Sequence, residues 1–164
     1  MNLDARDLER LAFLVRVVNG ERRNLKATDE RLFAEPFTAQ KAGLLEEDSE
    51  LAERVDAFVA RFSRLQDTLG DKLLPALLAA VGEERRTLVD RLDVAEKLGW
   101  IESSEEWMAI RKLRNRMVHE YIEDAEVLAL ALQTGHARVL TLLNAADRML
   151  AEVRERDWLG GRHD

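Results

Sequence analysis

The chain has 164 residues, no cysteine and a formal charge of −7. Its length suits one domain with a core of its own, and the missing cysteines exclude disulfides and thiolate metal sites. The acidic balance argues against broad electrostatic binding of nucleic acid, though it leaves room for a small basic site. The composition is 46% hydrophobic and 35% charged, with only 8 Gly and 2 Pro. Abundant Leu, Ala, Glu and Arg favour helices, and 5% aromatics speak against a strand-rich fold. The acidic, charged start MNLDARDLER is unlike a signal peptide. No apolar run approaches the roughly 20 residues of a membrane span, so a cytoplasmic protein without membrane contact is expected.

In chain order, Leu8, Leu11, Leu14, Val15 and Val18 predict a helix from Asp4 to about Val18, with Asn19-Gly20 as its stop. Residues 21–48 read as one or two short helices with loops, interrupted at Pro36 and ending at Gly43. A second helix begins near Ser49 and carries the seam Leu51, Val55, Phe58, Phe62, Leu65, Leu69 and Leu73. Pro75 should kink or restart it, and Gly82 should stop it. Thr87 is placed to cap a helix over 88–98 ended by Gly99, and Ser103 with Glu106 suggests a capping box. The helix that follows carries Trp107, Ile110, Leu113 and Met117. Asp124 is the expected cap of a last long helix with the stripe Leu128, Leu132, Val139, Leu142, Ala146, Met149 and Val153. One all-α domain over residues 1–157 is expected, an up-and-down bundle with extra N-terminal helices, followed by a free tail at 158–164. The Leu-rich seams need a partner surface, either internal or on a second copy.

The stretch "RNRMVHEY", Arg114 to Tyr121, gathers a His and the only Tyr beside two arginines. Histidine titrates near neutral pH and moves protons in catalysis, while an arginine holds phosphate and offsets developing charge. Asn115 lies four residues before His119 and shares its helical face. Arg114, five residues before His119, is turned away by roughly 140° on a regular helix. The two converge only if the helix end distorts or a cleft brings long side chains together, and an Arg and a His on one helix are most often solvated or structural. Arg111, Lys112, Arg114 and Arg116 place four cations in six positions of an acidic chain. Against them stand Glu105, Glu106 and Glu120. His136 falls inside the last helix and His163 in the tail. No HExxH, Walker loop or dinucleotide fingerprint occurs, and no Ser or Thr has a base arranged beside it.

Arg114-Asn115-x-x-x-His119-x-Tyr121 resembles the signature of HEPN-domain ribonucleases, and more closely that of HepT-like toxins. The stretches DKLLPALLAAVGE and LVDRLDVAEKLGWI also look like HepT-related bundle sequence, and the resemblance spans roughly Ser49 to Arg154. It implies a homodimeric helical bundle with both motifs lining one cleft, and RNA cleavage without metal or other cofactor. By residue, it implies His119 and Arg114 as catalytic and Asn115 as supporting; the local charge, not the resemblance, adds Arg111, Lys112 and Arg116 as supporting or RNA-binding residues. The family is paired with an MNT-type nucleotidyltransferase antitoxin, a type VII toxin–antitoxin arrangement. Tyr121 matches the tyrosine to which that partner transfers AMP. The alternative is a non-catalytic HEPN-like module that binds a substrate or presents it to a nucleotidyltransferase. Residues 1–48 have no counterpart in the resemblance.

Overall fold

In the computed structural model, which describes residues 3–119 and 124–160, the described residues are helical and contain no strand. The first helix, α1 (Ala5–Leu32), opens with reciprocal hydrogen bonds between Asp4 and Asp7. It does not stop at Asn19-Gly20 as expected. Leu25, Thr28 and Leu32 continue the buried stripe of Leu11, Leu14, Val15 and Val18, so packing outweighs the roughly 1 kcal/mol that a helical glycine costs. The short helix α2 (Ala39–Ala42) has Thr38 as its N-cap and Gly43 as its C-cap, with Pro36 in the preceding loop.

The seam helix α3 (Ser49–Thr68) starts at Asp48, whose carboxylate accepts from Leu51 N. A single π-turn at Leu69–Leu73 leads into α4 (Leu74–Ala80), where Pro75 occupies the first turn. The wider turn and the restart absorb the proline's missing donor. Gly82 and Gly99, both at positive φ, end α4 and α5 (Leu88–Lys97), and Thr87 caps α5. Ser103 accepts from Glu106 N at 3.1 Å, opening α6 (Ser104–His119). The expected capping box is redirected: the Glu106 carboxylate reaches Arg138 and Thr141 of the last helix, at 2.8 and 3.1 Å. That helix, α7 (Ala125–Glu155), is capped by Asp124 as expected.

Side-chain pairs give the directions. Glu21–Thr68 and Thr28–Arg61 set α1 antiparallel to α3, and Arg22–Asp147 and Asp29–His136 set it antiparallel to α7. Asp67–Arg114 and Asp71–Arg111 do the same for α3 and α6, and Glu102–Arg148 with Glu106–Arg138 for the α6 end of the chain and α7. The long helices α1, α3, α6 and α7 therefore alternate in direction around one core. The first helix is a wall of that core, with Val18 and Leu25 at 0% exposure, and not an extra layer laid on a finished bundle.

Every residue of the α3 seam and of the α7 stripe is buried within the single chain. The seams therefore need no second copy, and they no longer argue for a dimer. The exposed large apolar residues lie elsewhere, among them Val118, Val127, Leu130 and Leu140. The core also extends past the expected boundary: Leu159 is 5% exposed and Trp158 packs on the core, so a free tail does not begin at residue 158. Among the described residues, no helix is long and apolar enough to cross a membrane.

Two helical glycines separate in consequence. A Cβ at Gly20 meets only the flexible end of Arg23, at 3.9 Å, whereas one at Gly135 stands 3.2 Å from the Phe58 ring and 3.4 Å from Met117 Sδ. Gly20→Ala is expected to stabilise the fold by about 0.5–1 kcal/mol. Gly135→Ala should lose about 1–2 kcal/mol through crowding that exceeds the propensity gain. Urea denaturation of both variants checks the opposite signs.

Candidate functional site

The expected site residues lie on the last three turns of α6 and just beyond its end. This helix buries Trp107, Ile110, Leu113 and Met117 at spacings of three and four, which leaves Arg111, Lys112, Asn115 and Arg116 toward solvent. Arg114 sits at the edge of the buried face, its side chain 23% exposed.

Arg114 is held from two sides. Its Nη2 donates to Asp67 Oδ2 of α3 at 2.7 Å, and its Nη1 donates to Asn115 Oδ1 at 3.1 Å. The Nε is buried and has no partner among the described residues. One turn away, Arg111 faces Asp71 at 3.6 Å, a looser and more exposed pair. The four-cation run is thus partly neutralised by two carboxylates of the neighbouring helix. Lys112 and Arg116 are exposed, and Arg116 also interacts within the chain.

The structure brings Arg114 and Asn115 together. The backbone of α6 stays helical to its last residue, His119, so positions 114 and 119 remain separated by roughly 140° around the helix. The His119 side chain and Tyr121 lie outside the described residues, as does His163. His136 serves α1: its Nδ1 lies 2.7 Å from Asp29 and its ring stacks on Phe33 at 4.2 Å.

Asp67 and Asp71 were not singled out in the sequence. Their spacing of four and the spacing of three between Arg111 and Arg114 are each about one helical turn, but a spacing does not name the helix it faces. Beside the Asp67–Arg114 pair runs an open groove with an apolar floor, lined by Asp56, Val59, Ala60 and Ser63 of α3 and by Met117 and Val118 of α6. Ser63 stands one turn before Asp67 on α3, and Met117 three residues after Arg114 on α6. Among the described residues, no three His, Asp or Glu side chains are grouped to hold a metal ion.

No protein-family model, curated protein or solved structure matches the chain. The functional reading therefore rests on the motif and its surroundings.

On the far side of Asp67, Thr68 donates to Glu21 Oε1 at 3.1 Å. Burial raises the Glu21 pKa, Thr68, Arg64 and Lys72 oppose the rise, and Asp67 adds to it. A raised carboxyl pKa means that the folded state binds the proton more tightly than the unfolded chain. Its stabilising effect is present at low pH and is lost as pH rises through the folded pKa. Glu21→Gln should therefore raise the melting temperature at neutral pH, and the advantage should shrink as pH falls into and below the ordinary glutamate range. Thermal melts of wild type and variant from pH 4 to 7.5 check this.

Proposed function

We propose that the protein is a HepT-like toxin of the HEPN class, an endoribonuclease that cleaves RNA without a metal ion. The observation that carries the reading is Arg114 with Asn115, hydrogen-bonded side by side in the motif that continues to His119 and Tyr121. A supporting observation is the all-helical, up-and-down fold in which that motif closes one long helix just before another.

In this reading the RNA 2′-hydroxyl attacks the adjacent phosphorus. The bond to the 5′-oxygen breaks, leaving a 2′,3′-cyclic phosphate and a free 5′-hydroxyl. The proton leaves the 2′-oxygen and one is delivered to the 5′-oxygen, a task that suits the His119 imidazole. The Arg114 guanidinium offsets the charge that builds on the phosphoryl oxygens. The angular separation of the two on one helix is met by a homodimer, in which each half-site is completed across a shared cleft. Exposed Val118, Val127 and Leu130, on either side of the connection from α6 to α7, support such a contact. Tyr121 is then the acceptor of AMP from an MNT-type nucleotidyltransferase. Its phenol oxygen bonds to the α-phosphorus of ATP and pyrophosphate leaves. The added bulk and charge at the mouth of the site repel RNA.

The second reading, a HEPN-like module without catalysis, draws on one observation: Arg114 and Arg111 already face Asp67 and Asp71, which lowers the positive charge that RNA meets. Cleavage by purified protein separates the two readings.

His119→Ala and Arg114→Ala are each expected to lower RNA cleavage by about a hundred- to ten-thousand-fold with the fold retained. Gel assays on labelled RNA, with circular dichroism as the control, test this; a His119→Ala protein as fast as wild type removes the assignment. Tyr121→Phe should cleave RNA normally and escape the antitoxin, since only the hydroxyl is lost. Intact-mass spectrometry after incubation with the partner and ATP should show one added AMP on wild type and none on Tyr121→Phe. Sedimentation at micromolar concentration should show a dimer, and a monomer there argues against the shared cleft.

A further inference from the structure

The two carboxylates that α3 and the π-turn after it turn toward α6 are not equivalent. Asp71 and Arg111 stand 3.6 Å apart with both side chains more than a third exposed, a pair of the kind that contributes little. Asp67 and Arg114 are in direct contact at 2.7 Å, and the arginine is largely covered. A guanidinium carries five N–H donors. Among the described residues, Asp67 takes one from Nη2 and Asn115 takes one from Nη1, and each terminal nitrogen keeps one to offer. The Nε is buried, so an incoming anion has only those terminal nitrogens to meet.

The direction of Asp67 is itself determined by its neighbours. Gln66 is fully buried, and its amide nitrogen and the Trp107 indole nitrogen both stand within 4 Å of the Cβ position at Gly70. Thr68 is 5% exposed and bonded to Glu21 of α1. With the residue before it packed toward α6 and the residue after it tied to α1, this turn of α3 cannot rotate to move Asp67 away. The acceptor that grips Arg114 is therefore anchored on two helices at once.

A carboxylate beside a phosphate-binding arginine has two opposed effects. It lowers the positive charge a substrate phosphate meets, and it removes the rotamer freedom the arginine would otherwise have to lose in the transition state. We propose that Asp67 is a positioning residue for Arg114: it holds the guanidinium where the phosphoryl charge develops, at the expense of ground-state affinity for RNA. The proposal rests on the ribonuclease reading of the motif. It adds to that reading a residue on a different helix, outside the motif.

The test is steady-state cleavage of a short labelled RNA by wild type, Asp67→Ala, Asp67→Asn and a control, Asp147→Ala. The control breaks another interhelical ion pair, the one with Arg22, far along α7. Melting temperatures are measured alongside. Asp67→Ala should lower kcat by about ten- to a hundredfold, with KM unchanged or reduced because a negative charge has left the phosphate's surroundings. Asp67→Asn, nearly isosteric and still offering an oxygen to Nη2, should recover most of kcat. Asp147→Ala should reduce melting temperature without this change in kcat. If wild type cleaves and Asp67→Ala is equally fast or faster, Asp67 merely masks Arg114 and the proposal is overturned while the nuclease reading stands. If the loss in kcat follows the loss in melting temperature for both alanine variants, the role is structural and the proposal is likewise overturned. If Asp67→Ala does not fold, Asp67→Ser, whose hydroxyl is too short to hold Nη2 at 2.7 Å, takes its place with the same expected and overturning results. If wild type cleaves no RNA, the nuclease reading falls and takes this proposal with it.

Discussion

The architecture depends on how closely α6 lies against the end of α3. At the π-turn, Gly70 offers no side chain, and the Trp107 indole fills the space: a Cβ there would stand 3.3 Å from Nε1. Trp107 is the largest of the fully buried side chains, and Gly70 leaves room for it where α6 meets the end of α3. From that contact the register follows. Asp71 and Asp67 come opposite Arg111 and Arg114, and the motif at the end of α6 is held to a particular turn of α3.

A second close approach completes the arrangement. Gly135 of α7 lies against Phe58 of α3 and Met117 of α6, so the last helix settles into the groove between the two others. Leu132, Val139, Leu142 and Ala146 of the same helix are all buried within the chain. The close-packed glycine and the aliphatic stripe act together. The first allows the approach, and the second supplies the apolar area that makes it favourable.

The remaining wall, α1, is fastened mainly by apolar burial and then oriented by polar pairs. Arg22 grips Asp147 with two hydrogen bonds, and Asp29 meets His136 over the Phe33 ring. Arg61 reaches Thr28, and Thr68 reaches Glu21. Burial raises the Asp29 pKa while His136 opposes the rise, so this pair orients the helices more than it stabilises them. The same turn of α3 that anchors α1 through Thr68 presents Asp67 to Arg114. The interior packing and the candidate site thus share one turn of helix.

Much of this was legible in the residues. The periodic stripes of α3, α6 and α7, the caps at Thr87 and Asp124, and the stops at Gly82 and Gly99 follow from local spacing and local hydrogen bonding, and those forces act within a few residues. The motif from Arg114 to Tyr121 was equally visible, as was the angular separation of Arg114 from His119. Other features needed the tertiary structure. Asn19-Gly20 reads as a stop, yet α1 passes through it, because burial of Leu25 and Leu32 lies beyond any local rule. Glu106 reads as half of a capping box, yet two partners on α7 claim its carboxylate. The seams read as open to a second copy, yet the chain covers them itself. Asp67 reads as one acid among many until α6 is laid against α3, because an ion pair between residues 47 positions apart is a property of packing and not of spacing.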